Sequence, residues 1–205
     1  GDHIGGNAEM VKSTGAQILA HANAKSKIPN MNVGLQAGDI IKVGKTVELE
    51  CLDTPGHTMS HVCVLSHTDI PALFSGDTLF NAGAGNCHNG GHPEELYQTF
   101  VKQLDNLPDT TRLYPGHDYL LNNLEFTIDR EPLNTRAKQL LSETKQQNPH
   151  DALITTLGLE KEVNTFFRLQ SQSVINTLRE SFPSLAENPS PKEVFLRLRE
   201  LRNKW

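Results

Sequence analysis

The sequence predicts an α+β protein, a body of alternating short strands and helices that gives way near Leu133 to a region helical throughout. Three observations carry this. Apolar runs of strand length, bounded by turn residues, occupy the chain before Pro132 and largely vanish after it. Beyond Pro132 the segments are polar, helix-favouring and capped. Aspartates and histidines beside glycines stand where the apolar runs end, at the turns from strand to loop.

Taken in order, Asn7 is expected to cap a short helix through Lys12 with Gly15 as its stop, and residues 16–20 read as a strand. Residues 40–43 and 46–50, joined at Gly44-Lys45, form a hairpin. Residues 61–66 and 72–75 are apolar runs consistent with sheet strands whose ends carry His57 and Asp77. Pro93 starts a helix that packs Leu96, Phe100, Val101, Leu104 and Leu107 inward on one face. Residues 112–114 make a last strand that presents His117. In the helical region, residues 135–147 and 171–182 read as helices. Ser190-Pro191-Lys192-Glu193 is a capping box for a final helix, with Val194, Leu198 and Leu201 as its buried stripe.

The chemistry gathers in short segments that each place a metal-capable side chain near a glycine. These are Thr54-Pro55-Gly56-His57-Thr58, Ser75-Gly76-Asp77-Thr78-Leu79-Phe80, Tyr114-Pro115-Gly116-His117-Asp118-Tyr119 and the opening Gly1-Asp2-His3-Ile4-Gly5-Gly6-Asn7. Imidazole nitrogens and carboxylate oxygens suit zinc, iron or manganese, and a neighbouring glycine lets the backbone turn tightly toward a shared ion. A lone histidine is ordinarily a surface or core residue, and a structural hydrogen bond at a turn is the plain alternative for each position. Four such segments in the order Asp-His, His, Asp, His favour a dinuclear metal site. The chain has no Gly-x-Ser-x-Gly elbow to compete with it.

Those segments resemble the metallo-β-lactamase superfamily and, within it, the hydroxyacylglutathione hydrolases (glyoxalase II). The resemblance is strongest over Phe74-Ser75-Gly76-Asp77-Thr78-Leu79-Phe80 and Pro115-Gly116-His117-Asp118-Tyr119-Leu120-Leu121-Asn122-Asn123-Leu124. It implies an αββα sandwich in residues 1–133, followed by an α-helical substrate-binding domain in residues 134–205. It also implies two divalent metal ions, zinc with iron or manganese as alternatives. Asp2, His3 and His117 would hold one ion, His57 would serve the other, and Asp77 would bridge both. Asp2 and Asp77 would be catalytic, with a metal-bound hydroxide attacking an S-2-hydroxyacylglutathione such as S-lactoylglutathione.

The family motif reads Thr-His-x-His-x-Asp-His, and Asp2-His3 match only its end. The chain therefore looks cut inside that motif, and an inactive fragment is one expectation. Tyr119 matches a family tyrosine that contacts glutathione, and Asn164-Thr165-Phe166-Phe167-Arg168 resembles a segment that contacts substrate, Arg168 included. Asn86 and His88 stand where a lysine and a tyrosine are usual, and Gln170 and Gln172 replace basic residues. Weakened recognition of glutathione carboxylates is expected from these departures. Persulfide dioxygenases share the superfamily and use one iron; they are the alternative reading.

A formal net charge of -5 gives no reason to expect nucleic acid, and Arg197, Arg199, Arg202 and Lys204 read as the solvated face of a terminal helix. Cys51, Cys63 and Cys87 fit no disulfide framework, which points to reduced thiols and a cytoplasmic protein, the mitochondrion staying open. Cys51 and Cys63 are expected in the core and Cys87 near the site. His61 is expected to hydrogen-bond a loop beside the metals, Asp118 to support a ligand, and His21, His67 and His150 to lie on the surface. No run approaches the roughly 20 apolar residues a membrane span needs. The protein is expected to act on a small molecule as a monomer, without membrane.

Overall fold

A computed structural model describes residues 2–148 and 152–205. Helix α1 (Asn7–Thr14) precedes β1 (Leu19–His21), which pairs in parallel with β2 (Val33–Leu35). The hairpin of β3 (Ile40–Val43) and β4 (Val47–Asp53) continues antiparallel into β5 (Val62–Ser66) and β6 (Ala72–Gly76). A small ribbon, β7 (Leu79–Phe80) with β8 (Gly83–Ala84), leads to α2 (Pro93–Thr99) and then to β9 (Arg112–Pro115), which joins β6 in parallel. The main sheet thus runs β3-β4-β5-β6-β9. Helices follow: α3 (Leu120–Arg130), α4 (Thr135–Lys145), α5 (Leu157–Val163), α6 (Gln172–Ser181) and α7 (Pro191–Arg202).

The expected elements form with local adjustments. Asn7 is the first helical residue, not the cap; Gly6 holds the cap position without a side-chain bond, and Gly15 ends the helix in the left-handed conformation. The first strand begins at Leu19 rather than 16, where parallel pairing with β2 starts. Ser190 caps α7 by accepting from the Glu193 N–H, as the capping box predicts. Strands β2, β7 and β8 and helices α3 and α5 were not legible. The three strands are only two or three residues long, too short to show a period. In α3 the polar Asn123 and Thr127 interrupt the buried face and hide its apolar stripe.

Helix α2 runs directly into a π-helical turn, Phe100–Leu104. The wider turn keeps Leu96, Phe100 and Leu104 inward and swings Val101 out, so Val101 is 41% exposed instead of buried. The main core joins strand residues Leu52, Cys63, Leu73 and Leu113 to Phe166, Leu178, Phe195 and Leu198 of the helical region. Phe195 sits at its centre, with ring centroids 5.2 Å from Phe100 and 5.1 Å from Phe166. A fully buried side chain of this kind contributes about 1.5–3 kcal/mol. A second cluster ties Ala82 of the β7–β8 loop to Leu120, Leu124, Ala137, Leu140 and Val163. No helix of the described residues is long and apolar enough to cross a membrane.

Candidate metal centre and adjoining pocket

Strand ends deliver the donors. His57 follows β4, Asp77 follows β6 and His117 follows β9, so the sheet fixes where three separate segments meet. Two glycines permit the approach for different reasons. Gly76 has φ 49, and a Cβ there would come within 2.7 Å of His61 Nε2. Gly116 needs no unusual φ, but its missing Cβ would stand 2.5 Å from Asp77 Oδ1.

Asp77 is buried at the focus. Its Oδ2 lies 2.9 Å from His3 Nε2 and 3.5 Å from His57 Nε2, and its Oδ1 lies 3.5 Å from His117 Nε2. Asp2 Oδ2 is 3.2 Å from His117 Nε2 and 3.6 Å from His3 Nε2. The donor atoms of Asp2, His3, Asp77 and His117 lie within 4.8 Å of one another. The structure therefore brings together all five sequence-derived ligand candidates. The set fits a cation: Asp77 Oδ1 is buried with no hydrogen-bond partner, a costly state for a carboxylate unless an ion faces it. His57 Nδ1 donates to the Asn86 carbonyl at 2.6 Å, which leaves Nε2 free of its proton and directed at Asp77.

His61 supports the centre from behind. Its Nε2 accepts the Asp77 N–H at 3.2 Å, so Nδ1 carries the proton and meets the hydroxyls of Thr54 at 3.0 Å and Thr78 at 2.9 Å. Burial, with His57 nearby, pushes its pKa down to about 4, consistent with a neutral ring. Asp118 does not reach the centre; its Oδ1 accepts the Leu120 N–H at the start of α3. His21 is buried, not on the surface: Nδ1 accepts the Asn23 N–H, and Nε2 lies 3.3 Å from Asp53. His67 is exposed beside Glu50, and His150 lies outside the described residues. Cys51 and Cys63 are fully buried, and burial pushes the Cys63 thiol up to about 12. Cys87 is half-buried, and burial raises its pKa too, so no thiol here is poised as a nucleophile.

Beside the metal centre lies a cavity of about 210 Å³ lined by Phe80, Asn86, His88, Tyr119, Arg199 and Arg202, among others. Tyr119 connects the two regions by stacking on His117, with centroids 5.3 Å apart and planes at 23°. Asn86, His88 and Tyr119 thus share one pocket. Arg168 does not join them. Its guanidinium makes a two-pronged pair with Glu131, 2.6 Å from Nε and 2.8 Å from Nη2, and it borders a separate cavity with Tyr97, Lys161 and Gln170. A side chain held that way braces the helices, and Arg168 stands apart from the pocket that Asn86, His88 and Tyr119 share. Burial alone would raise the Glu131 pKa, but hydrogen bonds from Arg168, Ser171 and Asn134 outweigh it and hold the carboxylate low.

The basic series near the end also needs correction. Arg197 and Lys204 face solvent beside Glu200, but Arg199 is only 3% exposed. Its Nη1 donates to the carbonyls of Ala84 at 2.6 Å and Gly85 at 2.9 Å, while burial, with Arg202 nearby, lowers its pKa to about 10. Arg202 Nη2 donates to Asn123 Oδ1 at 3.2 Å. These two are the charged pocket residues that sequence reasoning missed. The only available signal was their spacing of three, which puts both on one helix face.

The chain's likenesses agree with this geometry. The family profile for the hydroxyacylglutathione hydrolase C-terminus matches residues 118–205. The hydroxyacylglutathione hydrolase of Nitrosococcus oceani is 59% identical over 205 residues, covering 100% of this chain and 78% of that relative. Among solved structures, ETHE1 from Myxococcus xanthus aligns with a TM-score of 0.60 at 26% identity, over 98% of this chain and 72% of that one. A metallo-beta-lactamase from Staphylococcus aureus aligns at 0.57 and 21% identity, over 96% and 52% of the two chains, and speaks to the fold alone. With a metallo-β-lactamase fold, a carboxylate-centred donor cluster and a relative this close over 78% of that relative's length, the chain belongs to the hydroxyacylglutathione hydrolase family.

Proposed function

We propose that the protein hydrolyses the thioester of an S-2-hydroxyacylglutathione, releasing a 2-hydroxy acid and glutathione. The observation that carries this reading is the buried Asp77 carboxylate, one oxygen unpartnered, facing Nε2 atoms from three chain segments beside a cationic pocket. Asp2, His3, His117 and Asp77 would hold one divalent ion, and His57 with Asp77 would serve a second. Zinc is the preferred ion, with iron or manganese as alternatives. Such a pair, when bound, lowers the pKa of solvent toward neutrality and polarises the carbonyl under attack.

The chain's own residues supply the rest. Asp2, exposed beside His3 and His117, would accept a proton from the attacking water. Tyr119, stacked on His117, gives the acyl end an aromatic wall. Glutathione carries carboxylates, and the charge expected at positions 86, 170 and 172 would come instead from Arg202 at the pocket wall, with the field of the buried Arg199 behind it. A charge-assisted hydrogen bond from such a group contributes about 1.5–3 kcal/mol. The helical region from residue 134 onward then acts as the substrate-binding unit through α7.

Elemental analysis of the purified protein, read beside an S-lactoylglutathione hydrolysis assay, tests this. Two ions per chain and release of free thiol are expected. One iron per chain with oxygen consumption on glutathione persulfide would replace the reading with the dioxygenase one.

A further inference from the structure

Between the metal centre and the pocket runs the segment from Asn81 to Asn86, and the backbone of every residue in it is gripped by a side chain from another part of the chain. The Asn81 carbonyl accepts from Asn123 Nδ2 at 2.9 Å, and the Ala82 N–H donates to Glu160 Oε2 at 2.8 Å. The Gly83 carbonyl accepts from Asn164 Nδ2 at 3.1 Å, and Arg199 holds the carbonyls of Ala84 and Gly85. The Asn86 carbonyl accepts from His57 Nδ1. The last bond is the one that fixes which nitrogen of His57 faces Asp77.

Glu160 is a costly grip. It is fully buried, and the groups facing it are the Thr155 hydroxyl at 2.7 Å from Oε1, the Asn164 amide at 3.0 Å from Oε2, the Ala82 N–H, and the Asn81 amide that bonds the same Thr155 hydroxyl. No cation is among them, so no ion-pair energy offsets the burial of the carboxyl group. Burial accordingly raises its pKa, to about 7. Ala82, moreover, has φ 55, a left-handed conformation that a residue with a Cβ adopts only when its surroundings impose it. An expensive acceptor aimed at the N–H of a strained residue is a positioning device in the sense of geometry, and Glu160, fully buried on α5, does not line the pocket.

We propose that Glu160 is a positioning residue for the reaction: its carboxyl group pins Ala82, and through the 82–86 backbone it sets the Asn86 carbonyl against His57 and the side chains of Asn86 and His88 in the pocket. The kinetic half of this rests on the hydrolase reading above. The structural half does not.

Glu160→Gln keeps an acceptor for Ala82 and Asn164 and offers Thr155 an N–H in exchange. Glu160→Leu keeps the volume and removes both oxygens. Asn164→Ala, a smaller lesion at the Gly83 grip, is measured alongside so that the test does not hang on the folding of one variant. Amide hydrogen exchange, metal content and steady-state kinetics are read on each metal-loaded protein. Glu160→Leu should speed exchange at Ala82 by about tenfold or more, as loss of a buried acceptor implies. Amides of β5 and β6 should keep wild-type protection, metal held through His57 should weaken, and KM should rise. Glu160→Gln should stay near wild type in all three, and Asn164→Ala, which frees the Gly83 carbonyl and one of the Glu160 Oε2 contacts, should loosen the loop around Gly83 with a smaller effect at Ala82 than Glu160→Leu.

Wild-type exchange at Ala82 in Glu160→Leu, or equal losses in the Gln and Leu variants, would overturn the assignment. So would a uniform loss of protection across the main sheet in both Glu160→Leu and Asn164→Ala. Exchange and metal content are read without substrate, so failure to cleave hydroxyacylglutathione would defeat the functional reading and leave this test standing.

Discussion

Asp77 concentrates more of the centre's electrostatics than any other residue, since its two oxygens face His3, His57 and His117. Asp77→Ala should therefore strip metal from both positions, with a loss of turnover larger than the roughly 10–100-fold usual for partners one step removed from a metal. Retention of two ions and most of the rate, by elemental analysis and thioester assay, would exclude the bridging role. Gly116→Ala tests the same focus by steric means. Its new Cβ would stand 2.5 Å from Asp77 Oδ1, so metal content should fall although no donor is removed. At this scale the sequence was legible because a glycine beside a histidine or aspartate is a local pattern. The partners of those residues were less so: His21 looked like surface and is buried against Asp53, a contact made across 32 positions (53 - 21).

Helix α7 shows where local patterns stop informing. Its cap and its buried Val194 and Leu198 were legible, because both follow from spacing within a few residues. Which cations would turn inward was not, since Arg199 finds its carbonyl partners 114 and 115 positions earlier. The same limit hid β7 and β8, a pair of two-residue strands whose Ala82, Gly83 and Ala84 backbone is held by Glu160, Asn164 and Arg199 from far along the chain. Arg199→Met should leave two carbonyls unpaired and remove a pocket charge. KM for hydroxyacylglutathione should rise by about tenfold or more, and its dependence on salt should weaken. A KM unchanged from wild type, with salt dependence intact, would show that the pocket charge lies elsewhere.

For the molecule as a whole, buried ionisable groups couple stability to pH. Glu160 has its pKa raised from 4.5 to about 7 by burial, so the folded state keeps a proton that the unfolded chain has released. Its contribution is fully present below about 4.5 and is lost as pH rises through about 7, a change on the order of 3 kcal/mol. His61 works in the opposite sense, with its pKa lowered from 6.5 to about 4, and costs stability as pH falls through that window. Comparing wild type with Glu160→Gln cancels the His61 term. Urea unfolding of the two metal-free proteins should show wild type losing stability relative to the variant between pH 5 and pH 8. A constant difference would mean that Glu160 titrates as it does in the unfolded chain.

The reach of Arg199 back to residues 84 and 85 also sets an order of assembly. Synthesis proceeds from the N-terminus, so every donor of the metal centre has been made by the time His117 is added, long before α7 exists. A nascent chain halted before Pro191 would already carry His57, Asp77 and His117, but its two loop carbonyls would still be bonded to water. Ion binding can begin on such a chain, whereas a place for the thiol half of the substrate is finished only when the last helix emerges and folds down.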